Sequence, residues 1–254
     1  MQLAEPVAAP WKASLSLGFR QVEQKTILAQ RRSEGPLVVQ KPLYPDGPER
    51  CHAIVVHPPG GIAGGDELAL DVSVEKEANA LLTTPGAAKW YRSAGAWAKQ
   101  TLRFEVNGSL EWLPRETIVF DGALADVQTQ VVLSEGARYI GWEVACLGRF
   151  TRGRLRTETR IMQGTRMLFI EKGEIEGGGR LMRSPVGLGG RSVCGTFIAT
   201  SDEKISVDGV AITHLPGLLV GRYLGDSSEE ALHAFTRLWQ LVRPGAVEPR
   251  IWAT

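Results

Sequence analysis

Glu67-Leu68-Ala69-Leu70-Asp71-Val72-Ser73-Val74 alternates without a break: Leu68, Leu70, Val72 and Val74 are aliphatic, and the residues between them are small or acidic. Side chains of an extended chain point to opposite faces with a period of two, so this octapeptide predicts a strand with one buried and one solvated face. The same alternation runs upstream through Leu15, Leu17 and Phe19. Downstream it returns in Leu102, Phe104 and Val106, in Val127, Thr129, Val131 and Leu133, and in Leu155, Thr157, Thr159 and Ile161. Turn signals lie between these stretches, among them Pro45-Asp46-Gly47, Asn107-Gly108, Asp121-Gly122 and Asp208-Gly209. The chain is rich in glycine and proline, with 29 and 14 residues and no collagen-like period, which calls for many turns and many short strands. A mainly β fold is expected.

One segment breaks that pattern. From Ser227 to Val242, Ala231, Leu232, Phe235, Leu238, Trp239 and Val242 fall at helical spacing, and Ser227 with Glu230 forms a capping box before Pro244 ends the run. The spacing predicts a C-terminal helix over Ser228–Val242. A second, short helix is expected after Pro85-Gly86, through Ala87, Ala88, Lys89, Trp90 and Tyr91. No polar linker divides the 254 residues, so the expectation is a single domain over 1–254.

Charge narrows the function. Lys and Arg number 29 against 28 Asp and Glu, too balanced for binding nucleic acid or anionic lipid through bulk charge. No apolar run is long enough to span a bilayer, and Met1 to Pro10 carries Glu5 and two prolines where a signal peptide needs an apolar stretch, so neither a membrane nor a nucleic-acid partner is expected and the location is cytoplasmic. Cys51, Cys146 and Cys194 are odd in number and far apart, which reads as apolar filling and not as a disulfide framework or zinc knuckle. His52 and His57 sit in a strand-like run, with His214 and His233 elsewhere, and no two show metal-ligand spacing. Neither a G-x-S-x-G elbow nor an H-E-x-x-H helix is present.

The densest local feature is His57-Pro58-Pro59-Gly60-Gly61-Ile62-Ala63-Gly64-Gly65-Asp66. A glycine-rich loop cradles phosphate when it opens a helix, whereas this one opens the strand at Glu67, and its glycines read instead as a sharp turn with close strand approach. Asp66 suits that turn by accepting from backbone N–H groups. Trp90 and Tyr91 read as core or interface anchors, and Arg152, Arg154, Arg156 and Arg160 as a solvated face.

In order and spacing, HPPGGIAGGDEL (57–68), LLTTPGAAKWYRS (81–93), LEWLPRETIVFDGA (110–123), GWEVACLGR (141–149), LVRP (241–244) and PRIWAT (249–254) together resemble the UreD family of urease accessory proteins, called UreH in some organisms. That resemblance implies a layered, β-helix-like stack of strands with a C-terminal helix. It also implies a non-catalytic scaffold that joins a UreF-type protein and a UreG-type GTPase to urease structural subunits. By the same resemblance, no cofactor is expected to be held permanently, and Ni²⁺ is expected in transit through an internal, water-filled passage. The acidic lining positions that match by motif are Asp66, Glu143 and Glu176, with Thr84 a polar neighbour. Four His and three Cys without shared spacing suit weak transit better than storage, since conduction needs binding that also releases. Glu143 lies in an otherwise apolar stretch, where its charge needs hydration or a cation such as Arg149. A small-molecule or phosphate-binding enzyme using loop 57–66 is the alternative from another class.

Overall fold

Each alternating stretch becomes a strand, and the computed structural model, which describes residues 10–253, stacks those strands in coils. The start of the chain read for a leader, residues 1–9, lies outside the described residues. In chain order the strands are β1 (Lys12–Val22), β2 (Lys25–Glu34), β3 (Val38–Val39), β4 (Arg50–Val56), β5 (Glu67–Val74), β6 (Asn79–Thr83), β7 (Ala88–Trp90), β8 (Ala98–Val106) and β9 (Ser109–Leu113). They continue as β10 (Thr117–Val119), β11 (Leu124–Leu133), β12 (Arg138–Cys146), β13 (Arg154–Gln163), β14 (Arg166–Glu176), β15 (Val193–Ala199), β16 (Ala211–Leu215) and β17 (Leu218–Gly225). Two helices, α1 (Arg180–Arg183) and α2 (Ser228–Val242), and a 3-10 turn at Arg250–Ala253 complete the chain.

The backbone crosses repeatedly between two sheets. β5, β8, β11 and β13 lie parallel in the first, and β4, β6, β9 and β12 lie parallel in the second. A narrow third side is made by β7 and β10, also parallel, with Ile62 bridging to Trp90. This is a solenoid-like stack, as the UreD resemblance implies. Antiparallel hairpins close both edges of the first sheet, β1 with β2 at one side and β13 with β14 at the other. The successive coils touch closely at their turns: a Cβ on Gly108 would collide with the carbonyl oxygens of Ala78 and Glu75, so only glycine fits there.

The aliphatic face of the opening octapeptide, Leu68, Leu70, Val72 and Val74, is fully buried between the sheets. On β12 the two faces part company. Ile140, Trp142 and Val144 pack with Phe197, Phe235, Leu238 and Trp239 in a second core under α2, while Tyr139 joins the core between the sheets. α2 begins where its capping box predicts, with the Ser227 hydroxyl accepting from the Glu230 N–H. The residues behind α2 are pinned as well: the Trp252 indole donates to Thr83 Oγ1 at 2.8 Å.

The expected helix at Ala87–Tyr91 is corrected. Ala88–Trp90 is strand β7, held parallel to β10, because burying Trp90 completely on the third side outweighs the helix preference of two alanines and a lysine. The short second helix is instead α1, which carries no periodic signal because it is a single turn with no fully buried residue. Tyr91 stacks on Phe120 at 5.3 Å, and both stay partly exposed. The arginine face of β13 is solvated and paired: Arg154 and Arg156 meet Glu174, Arg160 meets Glu158, and Arg152 just before the strand meets Asp121. Of the cysteines, Cys51 is buried in the core as filling, while Cys146 and Cys194 are half-buried.

Candidate functional site

The two sheets do not pack tightly along their whole length. A cavity of about 320 Å³ lies between them where the parallel strands of the second sheet end; its wall is mostly apolar, with His57 after β4, Thr84 after β6, Gln100, Thr117, Thr157 and Glu143 among its polar groups and Lys89 and Arg115 as cations. A second, of about 350 Å³, is lined by Thr129, Glu143, Glu171, Cys194, Thr196 and Arg222. The two share Glu143, Ala145, Leu155 and Thr157, so they abut where β12 faces β11 and β13.

Glu143 is therefore the charged group on the shared wall. It is half-buried, and it lines both cavities. Thr129 Oγ1 donates to its Oε1 at 2.8 Å across the gap from β11. Burial pushes the Glu143 carboxyl above its ordinary range, the Thr129 hydrogen bond opposes this, and the charge of Glu171 adds to it. Arg149 is not its partner. Thr84 reaches the first cavity while its Oγ1 accepts from the Arg115 N–H at 2.9 Å and donates to the Gly86 carbonyl at 3.1 Å.

Asp66 and Glu176 stand elsewhere. Asp66 is buried at the end of the glycine loop, where Oδ1 accepts from the Trp11 N–H and Oδ2 from the Ala63 N–H, both at 2.7 Å. Both oxygens brace the backbone, as the turn reading expects. Glu176 ends β14 on the surface, 3.5 Å from Arg154. The structure thus brings Glu143 and Thr84 to one cavity, and places Asp66 behind the loop and Glu176 outside. The loop itself runs into β5 and not into a helix; Gly61 lies under the Tyr91 ring and Gly64 against Ser93, where no Cβ would fit.

Sequence reasoning missed three groupings. Arg222 of β17 donates to both oxygens of Glu171 on β14, at 2.7 and 2.8 Å, and to Thr196, clasping the two sheets across the second cavity. Cys194 faces that cavity, and burial pushes its thiol up to about 11. Under α2, Glu111 takes Arg50 at 2.7 Å and Arg243 at 2.8 Å on one oxygen and the Trp239 indole at 2.9 Å on the other. Asp46 joins the same cluster through Arg50, Arg243 and His52. Its members are separated by up to 197 residues, so no local pattern announces them. Among the described residues, no three His, Cys, Asp or Glu side chains gather as a metal-holding group. Nor is any described helix long and apolar enough to cross a membrane.

A family model described as UreD urease accessory protein matches residues 12–253 of this chain. A protein of Dechloromonas aromatica (strain RCB) named urease accessory protein UreD is 44% identical over 284 residues, covering 100% of this chain and 99% of that one. Its namesake from Azoarcus sp. (strain BH72) is 47% identical over 269 residues, covering 96% and 94%. That from Pseudomonas aeruginosa is 44% identical over 271 residues, covering 96% and 95%.

Proposed function

Because the chain belongs to the UreD family of urease accessory proteins, and so to urease maturation, we propose that it acts there as a non-catalytic cytoplasmic scaffold with a passage for Ni²⁺. In this reading it joins a UreF-type protein and, through the complex, a UreG-type GTPase to the urease structural subunits. The two abutting cavities carry the cation between them.

The observation that supports the passage most is Glu143: a carboxylate deep inside the protein, on the wall common to both cavities, with one hydroxyl as its hydrogen-bond partner. A divalent ion leaving water must recover hydration energy from wall dipoles and charges, and must not be held so firmly that it stays. Spaced single ligands meet both needs. Thr84 contributes a hydroxyl to the first cavity. Asp66 stands behind the loop and Glu176 in a surface ion pair, so the proposal rests on Glu143 and Thr84. The enzyme alternative loses ground, because both oxygens of Asp66 are spent on the backbone.

Glu143→Gln tests this by removing the charge while keeping the shape. The expected result is an unchanged yield of the assembled complex with about tenfold less nickel per urease active site at limiting nickel, a loss that a barrier rise of about 1.4 kcal/mol produces. Normal nickel loading with the complex intact would end the passage reading.

A further inference from the structure

The narrow third side of the stack carries a surface that neither the core nor the cavities account for. Of the aromatic ring pairs among the described residues, only Tyr91 and Phe120 are exposed on both members, at 45% and 41%, with their rings 5.3 Å apart and nearly parallel. The fold builds this pair deliberately into the outer face. β7 and β10 run in register with Trp90 opposite Val119, both buried, so the next residues, Tyr91 and Phe120, turn outward together. Gly61 lies beneath the Tyr91 ring, where no Cβ would fit.

Positive charge gathers on the same side. The chain as a whole is balanced, with 29 Lys and Arg against 28 Asp and Glu. The segments that make the third side and its corners, 57–65, 84–97, 114–123 and 145–153, hold five cations, Lys89, Arg92, Arg115, Arg149 and Arg152, and two acids, Glu116 and Asp121. Both acids are already engaged within the chain. Asp121 accepts from the Thr151 hydroxyl at 2.8 Å and from Arg152 at 2.9 Å, which together hold its carboxyl far below the usual carboxylate range. Glu116 lies 3.7 Å from Arg115. Arg92 reaches Asp121 only at 3.9 Å, and Lys89 and Arg149, both exposed, have no ion pair among the described residues.

Tyr and Phe at the centre with Arg around them is the composition of a protein interface, and the sign of the surplus charge selects the partner. A second copy of this side would set cations against cations. The Tyr91 ring is closed in between Gly61 and Phe120, which removes the face on which a nucleotide base would stack. We propose that the third side is a docking surface for an acidic segment of a protein partner, which covers Tyr91 and Phe120 with an apolar side chain and meets Lys89, Arg92 and Arg149 with carboxylates. The proposal rests on the scaffold reading above and deepens it; the passage is not needed for it.

The test uses the full chain co-expressed with the urease structural subunits and the accessory proteins, with p-benzoylphenylalanine in place of Phe120. The expected cross-link joins position 120 to one partner protein, at a segment in which Asp and Glu outnumber Lys and Arg. A cross-link to a segment without that excess, to a second copy, to nucleic acid or to lipid, or no cross-link at all, overturns the proposal. Charge reversal reads the same surface without touching the rings. Lys89→Glu combined with Arg149→Glu should weaken capture of that partner about tenfold at low ionic strength, and less as salt rises. Arg20→Glu combined with Lys41→Glu makes the same change of net charge at exposed residues away from the third side, and should leave capture unchanged. Equal losses in the two double variants, or none in the first, overturn the surface. A wild-type chain that assembles with none of the co-expressed proteins removes the scaffold reading and this proposal together, whereas normal assembly by the Lys89→Glu, Arg149→Glu chain removes this surface alone.

Discussion

Glu111 and Glu143 are the same residue type on neighbouring roles of one sheet, Glu111 on β9 and Glu143 on β12, and the protein treats them oppositely. Glu111 faces α2 and is saturated by two guanidiniums and an indole N–H. Glu143 faces the other way, toward the first sheet, and meets a single threonine hydroxyl at a cavity wall. Burial raises both carboxyls, but at Glu111 the cations of Arg50 and Arg243 pull against it, and at Glu143 the charge of Glu171 pushes in the same direction. A saturated carboxylate has no capacity left for an ion; an under-coordinated one has. The difference separates a structural tie from a carboxylate with hydrogen-bonding capacity to spare.

The sharpest way to break this comparison is to remove the saturated member. Glu111→Gln leaves two guanidiniums sharing only Asp46, and removing one partner of a buried ionic group costs about 3–5 kcal/mol. Urea denaturation should show that loss, and a cost below about 1 kcal/mol would place Glu111 with Glu143 and not apart from it. Smaller is the effect of Thr129→Val, which keeps the volume and deletes the hydroxyl that donates to Glu143; a lost hydrogen bond of this kind costs about 1 kcal/mol.

The smallest effect has the most informative sign. The Glu143 carboxyl lies above its ordinary value of 4.5 in the folded chain, chiefly through burial, so the folded protein holds a proton that the unfolded chain has already released. The stability this lends is complete below about pH 4.5 and is lost as pH rises through the folded value. Glu143→Gln, neutral throughout, should therefore gain on the wild type in melting temperature between pH 4.5 and pH 8. A shrinking advantage over that range would mean that Glu143 is compensated as Glu111 is.

Local chemistry was readable from the residues wherever one element decides it. The alternation at Glu67–Val74 and the capping box at Ser227 each report one strand or one helix, and both are observed. Glu143 was legible as an anomaly, a charge between Trp142 and Val144, because burial of a charge is costly whatever the fold. What could not be read is what depends on partners distant in sequence. Ala88–Trp90 forms a strand through β10 and Ile62, not through its own propensity. Glu176 matches a motif position, yet the end of β14 leaves it outside with Arg154. The Glu111 cluster explains the conspicuous LVRP segment, since Arg243 reaches back to residues 46 and 111, a relation that exists only once the coils are stacked.

The hairpins at the two edges of the first sheet bear on how the chain comes to be folded. β1–β2 and β13–β14 join strands adjacent in sequence, whereas β1 pairs with β5, and β5 with β8, only after long loops have closed. Closing long loops before any contact rewards them is the slow part of folding. During synthesis the β1–β2 hairpin forms while the other edge of β1 still lacks β5, leaving a ladder of unpaired N–H and C=O groups open to another nascent chain. Some 32 residues of further translation, from Gly35 to Asp66, separate the end of β2 from the first residue of the strand that covers it. The interval between hairpin formation and arrival of β5 is the period in which this protein is most exposed to misassembly, and in which slower elongation would do it most harm.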